Sequence, residues 1–172
     1  PATKESFEPL QKALSANGIT SLAIDLRGHG ESTNEGALNY QEFADAEHQK
    51  SRLDADAALI FLSARGFQKE QVSVVGASIG ANLTLDLLGR EAMIKRGVLL
   101  SPGLDYRGVQ TEQAARELKE DQRLFIVAAQ GDGYSAESSH TLAAIAGNKA
   151  KLLIYEDAEH GTNMWKTHPG LI

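Results

Sequence analysis

The chain has 172 residues, with 17 Lys+Arg against 23 Asp+Glu, and a formal net charge of -6. No basic cluster offsets that balance, which argues against a nucleic-acid partner or an anionic membrane surface. No apolar run approaches the roughly 20 residues needed to cross a bilayer, and the absence of cysteine excludes disulfides and thiolate metal ligands.

This length suits a single domain, residues 1–172, with one well-buried core. The chain begins with Pro1 rather than methionine, so the natural N-terminus and any targeting segment are expected to lie outside it. The cytoplasm is the default compartment, and oligomeric state is not encoded.

In chain order, residues 6–17 predict an amphipathic helix with Phe7, Leu10 and Leu14 on one face, Pro9 in the first turn and Gly18 past the end. Residues 19–25 form an apolar stretch that predicts a buried parallel strand. A glycine-rich loop follows, Leu26-Arg27-Gly28-His29-Gly30-Glu31-Ser32. Residues 40–64 predict a second long helix, carrying Leu53, Ala57, Ile60, Phe61 and Ala64 at helical spacing and ended by Gly66.

Val72-Ser73-Val74-Val75 then runs into Gly76-Ala77-Ser78-Ile79-Gly80, and residues 81–88 continue as a helix-forming run. A serine in Gly-x-Ser-x-Gly between a strand and a helix sits on a sharp turn that lifts its hydroxyl above the sheet edge. Glycines 76 and 80 are expected because a side chain at either position would crowd the neighbouring backbone. Further strands are predicted at 97–101, 124–128 and 151–155, with helices at 111–119 and 136–146. Strands alternating with helices of this size predict an α/β fold, a mostly parallel sheet with helices on both faces and the site at the strands' carboxyl ends.

Serine is a weak nucleophile unless a base takes its proton and a third group orients that base. Among five histidines, His160 follows the strand ending at 155 and adjoins Gly161, which places it on a loop at the required edge. His29 reads as structural in its glycine-rich turn, His48 and His140 fall within predicted helices, and His168 precedes Pro169 in an irregular tail. For the carboxylate, Asp132 in Gly131-Asp132-Gly133 directly follows strand 124–128 and gives the order Ser, Asp, His. Asp105, after the preceding strand, is its main rival, and Asp157 is third. The short stretch between 101 and 111 encodes no substantial lid. Leu104, Tyr106 and Tyr134 are candidate pocket walls, whereas Met164 and Trp165 are expected to pack a loop or helix onto the core.

Four motifs together resemble the α/β-hydrolase superfamily, in particular its dienelactone-hydrolase-like and esterase-like members: Asp25 through the 26–32 loop, the Ser78 elbow, Gly131-Asp132-Gly133-Tyr134-Ser135, and Glu159-His160-Gly161. The resemblance implies Ser78 as nucleophile, His160 as base, Asp132 as orienting acid and the Ile79 N–H as one oxyanion donor. It implies no metal and no cofactor, and a small-molecule ester or thioester as substrate.

In that family a second oxyanion donor comes from a loop preceding the helix at 6–17, after three strands, and a closing helix follows the position where this chain stops. The resemblance is therefore partial. The sequence reads as a fragment of a longer protein, or as a chain whose sheet is completed by other residues. A gap in the sheet is expected between residues 19–25 and 72–76 unless those two strands pair directly and reorganise the site. The chain is expected to be weakly active or silent on its own.

The same triad serves peptidases and acyltransferases, and the fold also occurs in non-catalytic interaction domains. Gly28-His29-Gly30 resembles the start of a dinucleotide-binding fingerprint. Thr33 replaces the third glycine, and a loop stands where the helix should begin, which argues against that reading.

Overall fold

The computed structural model describes residues 3–172. In chain order the elements are α1 (Glu8–Ala16), α2 (Asp45–Gln49), α3 (Arg52–Ser63), β1 (Ser73–Ala77), α4 (Ile79–Arg90) and β2 (Arg96–Leu100). A hairpin of β3 (Asp105–Tyr106) and β4 (Val109–Gln110) follows, then α5 (Glu112–Glu117), β5 (Arg123–Ala129), α6 (Gly133–Ala146), β6 (Ala150–Tyr155) and α7 (Met164–Thr167).

The valine- and leucine-rich runs β1, β2, β5 and β6 pair in that order, each parallel to its neighbour. Alternation along a strand sends successive side chains to opposite faces, and the register aligns them into rows. Gly76, Leu99, Ile126 and Leu152 form one row, and Ala77, Leu100, Val127 and Leu153 the next. The first row faces a core built with Leu85 and Leu88 of α4 and Leu142 of α6. The second faces Phe7, Leu10, Met164 and Trp165, with the Phe7 ring edge-on to Trp165 at 5.3 Å. Helices thus cover both faces of a parallel sheet, and Met164 and Trp165 pack against it as expected.

Residues 19–25 depart from expectation. They form no strand, and Ile19, Leu22 and Ile24 are exposed, Ile19 at 52%. An apolar run favours extended backbone, but a strand also needs a partner for its amide groups. Among the described residues the main sheet ends at β1, and nothing pairs with 19–25.

The helix predicted over 40–64 is broken into a 3-10 turn at Tyr40–Glu42, α2 and α3. Phe43 and Ala44 adopt extended backbone between the first two pieces. The Phe43 ring lies so close to Gly28 that a Cβ there would come within 2.7 Å of it, and it meets His48 edge-on. A tertiary contact therefore overrides local helix preference. In α3 only Leu59 is buried, while Leu53, Ile60 and Phe61 are exposed, Ile60 at 71%.

The hairpin was not anticipated. Arg107 and Gly108 both have positive φ (55° and 77°), the requirement of a two-residue type I′ turn, which matches the twist of its flanking strands.

The loop after residue 25 folds around one carboxylate. Asp25 is buried and accepts the N–H groups of Lys4 (2.8 Å) and Glu31 (3.1 Å), with the Lys4 ammonium 3.3 Å away. Burial opposes ionisation, but these donors outweigh it and hold the carboxyl below its usual pKa. A depressed carboxyl stabilises the fold fully above its unfolded value of about 3.9, and that stability is lost as pH falls through the folded value. Melting temperatures measured from pH 7 down to 3 are expected to fall less steeply below pH 4 in Asp25→Asn than in the wild type, from a lower starting value. Parallel acid limbs would remove Asp25 from this role.

Candidate active site

Ser78 lies between the last residue of β1 and the first of α4, with φ 56° and ψ -126°. Non-glycine residues rarely hold such a conformation, which costs of order 1–3 kcal/mol and must be imposed by the surroundings. Here the Ser78 N–H donates to Leu100 O at 2.9 Å, tying the turn to the end of β2. Gly76 permits the turn: a Cβ at that position would overlap the Gly80 carbonyl and lie 2.5 Å from Thr84 Oγ1. The expectation for Gly80 was wrong, because a Cβ there meets nothing within 4 Å. The close approach is of the Gly80 carbonyl to the Gly76 Cα, so only Gly76 is sterically compelled. The first N–H groups of α4 lack intrahelical acceptors, and that of Ile79, next to Ser78, is the first of them.

β5 delivers Asp132 to the same edge, where it stands at the N-cap of α6. β6 delivers His160. His160 Nδ1 lies 2.6 Å from Asp132 Oδ2. A carboxylate only accepts, so Nδ1 carries the proton and Nε2 of the neutral ring is free to act as a base. The His160 side chain is 42% exposed and that of Asp132 19%, so the pair sits at an open surface.

Two glycines lock the loops to each other. Gly131 N–H donates to Asp157 O at 2.7 Å, and a Cβ on Gly131 would come within 2.5 Å of Ala158. Gly161, with φ 58°, lies against Ala77, the residue before Ser78. A direct hydrogen bond from Ser78 Oγ to His160 is not formed among the described residues. Such bonds are commonly long before substrate binds.

The rival residues are occupied elsewhere. Asp105 accepts from Gly108 N–H at 2.7 Å and from Gln110 within the hairpin. Asp157 accepts the Glu159 N–H (3.0 Å) and pairs with His168; these two contacts, in that order, lower its pKa. His29 contacts Arg27 O and stacks on Tyr40. His48 is buried, and burial first, then Arg107, pushes its pKa down. His140 is exposed on α6.

Of the expected pocket residues, Leu104 is half-buried and packs against the core on the α4 and α6 face of the sheet. The Tyr134 hydroxyl bridges Asp105 N–H and O, each at 2.9 Å, and its ring meets Tyr106 edge-on. The Tyr106 hydroxyl lies 2.9 Å from Ser135 Oγ. Burial raises its pKa, against the opposing effect of the Ser135 hydroxyl, so the phenol stays neutral.

Sequence reasoning missed two supporting residues. Asn82, fully buried, donates to Val109 O (2.7 Å) and accepts from Gly103 N–H (3.0 Å), anchoring the hairpin to α4. Its position one helical turn after Ser78 was the available signal. Ser101, at the end of β2, is the second.

Structural comparison finds the same fold at low sequence identity. An esterase domain from Rhodothermus marinus superposes with a TM-score of 0.63 at 16% identity, covering 90% of this chain and 70% of that one. A serine hydrolase from Cycloclasticus zankles gives 0.71 at 14% identity, covering 99% and 83%. A carboxylesterase from Bacillus cereus gives 0.61 at 20% identity, covering 98% and 80%. No curated protein sequence matches the chain. The sequence model of the alpha/beta hydrolase family matches residues 1–168. With a parallel sheet, helices on both faces and a family match over nearly its full length, the chain belongs to the alpha/beta hydrolase family.

Proposed function

We propose that the protein is a serine hydrolase that cleaves a carboxylic ester or thioester through an acyl-enzyme, with Ser78 as nucleophile, His160 as general base and acid, and Asp132 as the residue that orients His160. The observation carrying this reading is the 2.6 Å His160–Asp132 hydrogen bond, on loops that pack against the Ser78 turn. His160 Nε2 takes the Ser78 proton as Oγ attacks the substrate carbonyl, then returns it to the leaving alcohol or thiol. Water repeats the sequence in reverse and releases the acid. Charge developing on the carbonyl oxygen meets the Ile79 N–H at the start of α4, a preorganised donor of the kind that contributes most to acyl transfer. The structural neighbours that are an esterase domain and a carboxylesterase support the same substrate class, and the neighbour that is a serine hydrolase supports the same nucleophile.

Hydrolysis of p-nitrophenyl acetate tests this. Turnover is expected to fall to the solvent background in Ser78→Ala, by about 10³-fold or more, and a fluorophosphonate probe is expected to label the wild type but not that variant. Ester hydrolysis that survives in Ser78→Ala would falsify the assignment.

A further inference from the structure

Ser101 has three properties that are unusual in combination: it is fully buried, it holds a left-handed backbone with φ 51°, and it directly precedes Pro102. Glycine would adopt that φ without strain, so a buried serine there calls for a reason in its side chain. Ser101 Oγ accepts the N–H of Gly161 at 2.9 Å, and Gly161 is the residue after His160. One position earlier, Leu100 O accepts the N–H of Ser78 at 2.9 Å. Two consecutive residues at the end of β2 therefore hold the backbone of Ser78 on one side and the backbone beside His160 on the other. The Ser101 N–H donates to Val127 O at 2.8 Å, which fixes the strand end to β5.

We infer that Ser101 is a positioning residue: its hydroxyl, turned toward Gly161 by the left-handed backbone, sets the distance between His160 and Ser78. This inference rests on the triad reading above. Without the hydroxyl the buried Gly161 N–H loses its acceptor. The loop then shifts to find another, and His160 moves relative to Ser78. A displacement of about 1 Å between reacting groups costs on the order of 10²-fold in rate.

The test compares Ser101→Gly, which removes the hydroxyl and relieves the backbone, with Ser101→Ala, which removes the hydroxyl and keeps the strain. Both are expected to lower kcat for p-nitrophenyl acetate by about 10- to 100-fold with KM little changed, although the glycine variant is the more thermostable of the two. In histidine-labelled protein, the His160 ring signals are expected to shift in both variants while those of His29 and His140 stay in place. If Ser101→Gly keeps the wild-type kcat, or if kcat falls while the His160 signals do not move, Ser101 does not position His160. A wild type without Ser78-dependent turnover overturns the hydrolase reading instead. The His160 signals then decide the present inference alone, shifted signals supporting it and unmoved ones ending it.

Discussion

Asp132→Asn is expected to lower kcat for ester hydrolysis by about 10⁴-fold while leaving the fold intact. The carboxylate accepts the Nδ1 proton of His160 at 2.6 Å, and in the proposed triad that bond keeps Nε2 free as the base and stabilises the imidazolium that forms when Ser78 is deprotonated. An asparagine can turn its amide nitrogen toward the ring, which favours the tautomer whose Nε2 already carries a proton, and it brings no negative charge. Asp105→Asn and Asp157→Asn serve as controls. The first loses turn contacts in the hairpin, the second a partner of His168, and each is expected to retain most of the turnover. Loss of turnover in Asp105→Asn with survival in Asp132→Asn would reassign the acid.

The largest effect on stability is expected at Gly76. An alanine there puts its Cβ into the Gly80 carbonyl, and the backbone on either side of that contact is held by β1 and by the first turn of α4. Neither the Gly76 Cα that carries this Cβ nor the Gly80 carbonyl can yield without breaking the strand or the turn, so Gly76→Ala is expected to destabilise by about 3 kcal/mol, at the upper end for overpacking, lowering the melting temperature by roughly 10 °C. Gly80→Ala provides the contrast. Its Cβ meets open space, and alanine is favoured over glycine within a helix by about 1 kcal/mol, so that variant is expected to melt at or above the wild-type temperature. Equal losses in the two, read by circular dichroism, would show that the packing at the turn is not as described.

Much of this architecture was legible in the residues, for physical reasons that differ from one element to the next. The central strands β2 and β5 announce themselves because a strand largely buried on both faces is apolar over most of its length, and the half-buried edge strands β1 and β6 keep short apolar runs. The Ser78 turn is legible because few residue patterns satisfy a strand-to-helix reversal with positive φ. Asp132 and His160 stand out because each follows a strand at the same sheet edge, and the structure joins them by a hydrogen bond.

What escaped was set by partners distant in sequence. Residues 19–25 have the composition of a strand, yet pairing depends on a neighbour that composition does not specify. The break at Phe43 depends on Gly28, fifteen positions earlier in the chain. The Arg107-Gly108 turn has a local signal, a glycine between short β-prone runs, but two-residue strands are too short for their periodicity to show. Ser101 carried no local signal at all, since its φ and its bond to Gly161 arise only once β2, β5 and the His160 loop have assembled.

The sheet order has a consequence for how the site fails. Among the described residues β1 pairs only with β2 and β6 only with β5, whereas β2 and β5 are each flanked on both sides, so the strands leading to Ser78 and to His160 are the two edges of the sheet. Edge elements detach at free energies below that of global unfolding. Fraying of β1 would carry Ser78 away from His160 and Asp132, and fraying of β6 would carry His160 away from both. For the triad proposed above, turnover then depends on local opening at either edge of the sheet, and it can be lost while most of the core is still folded.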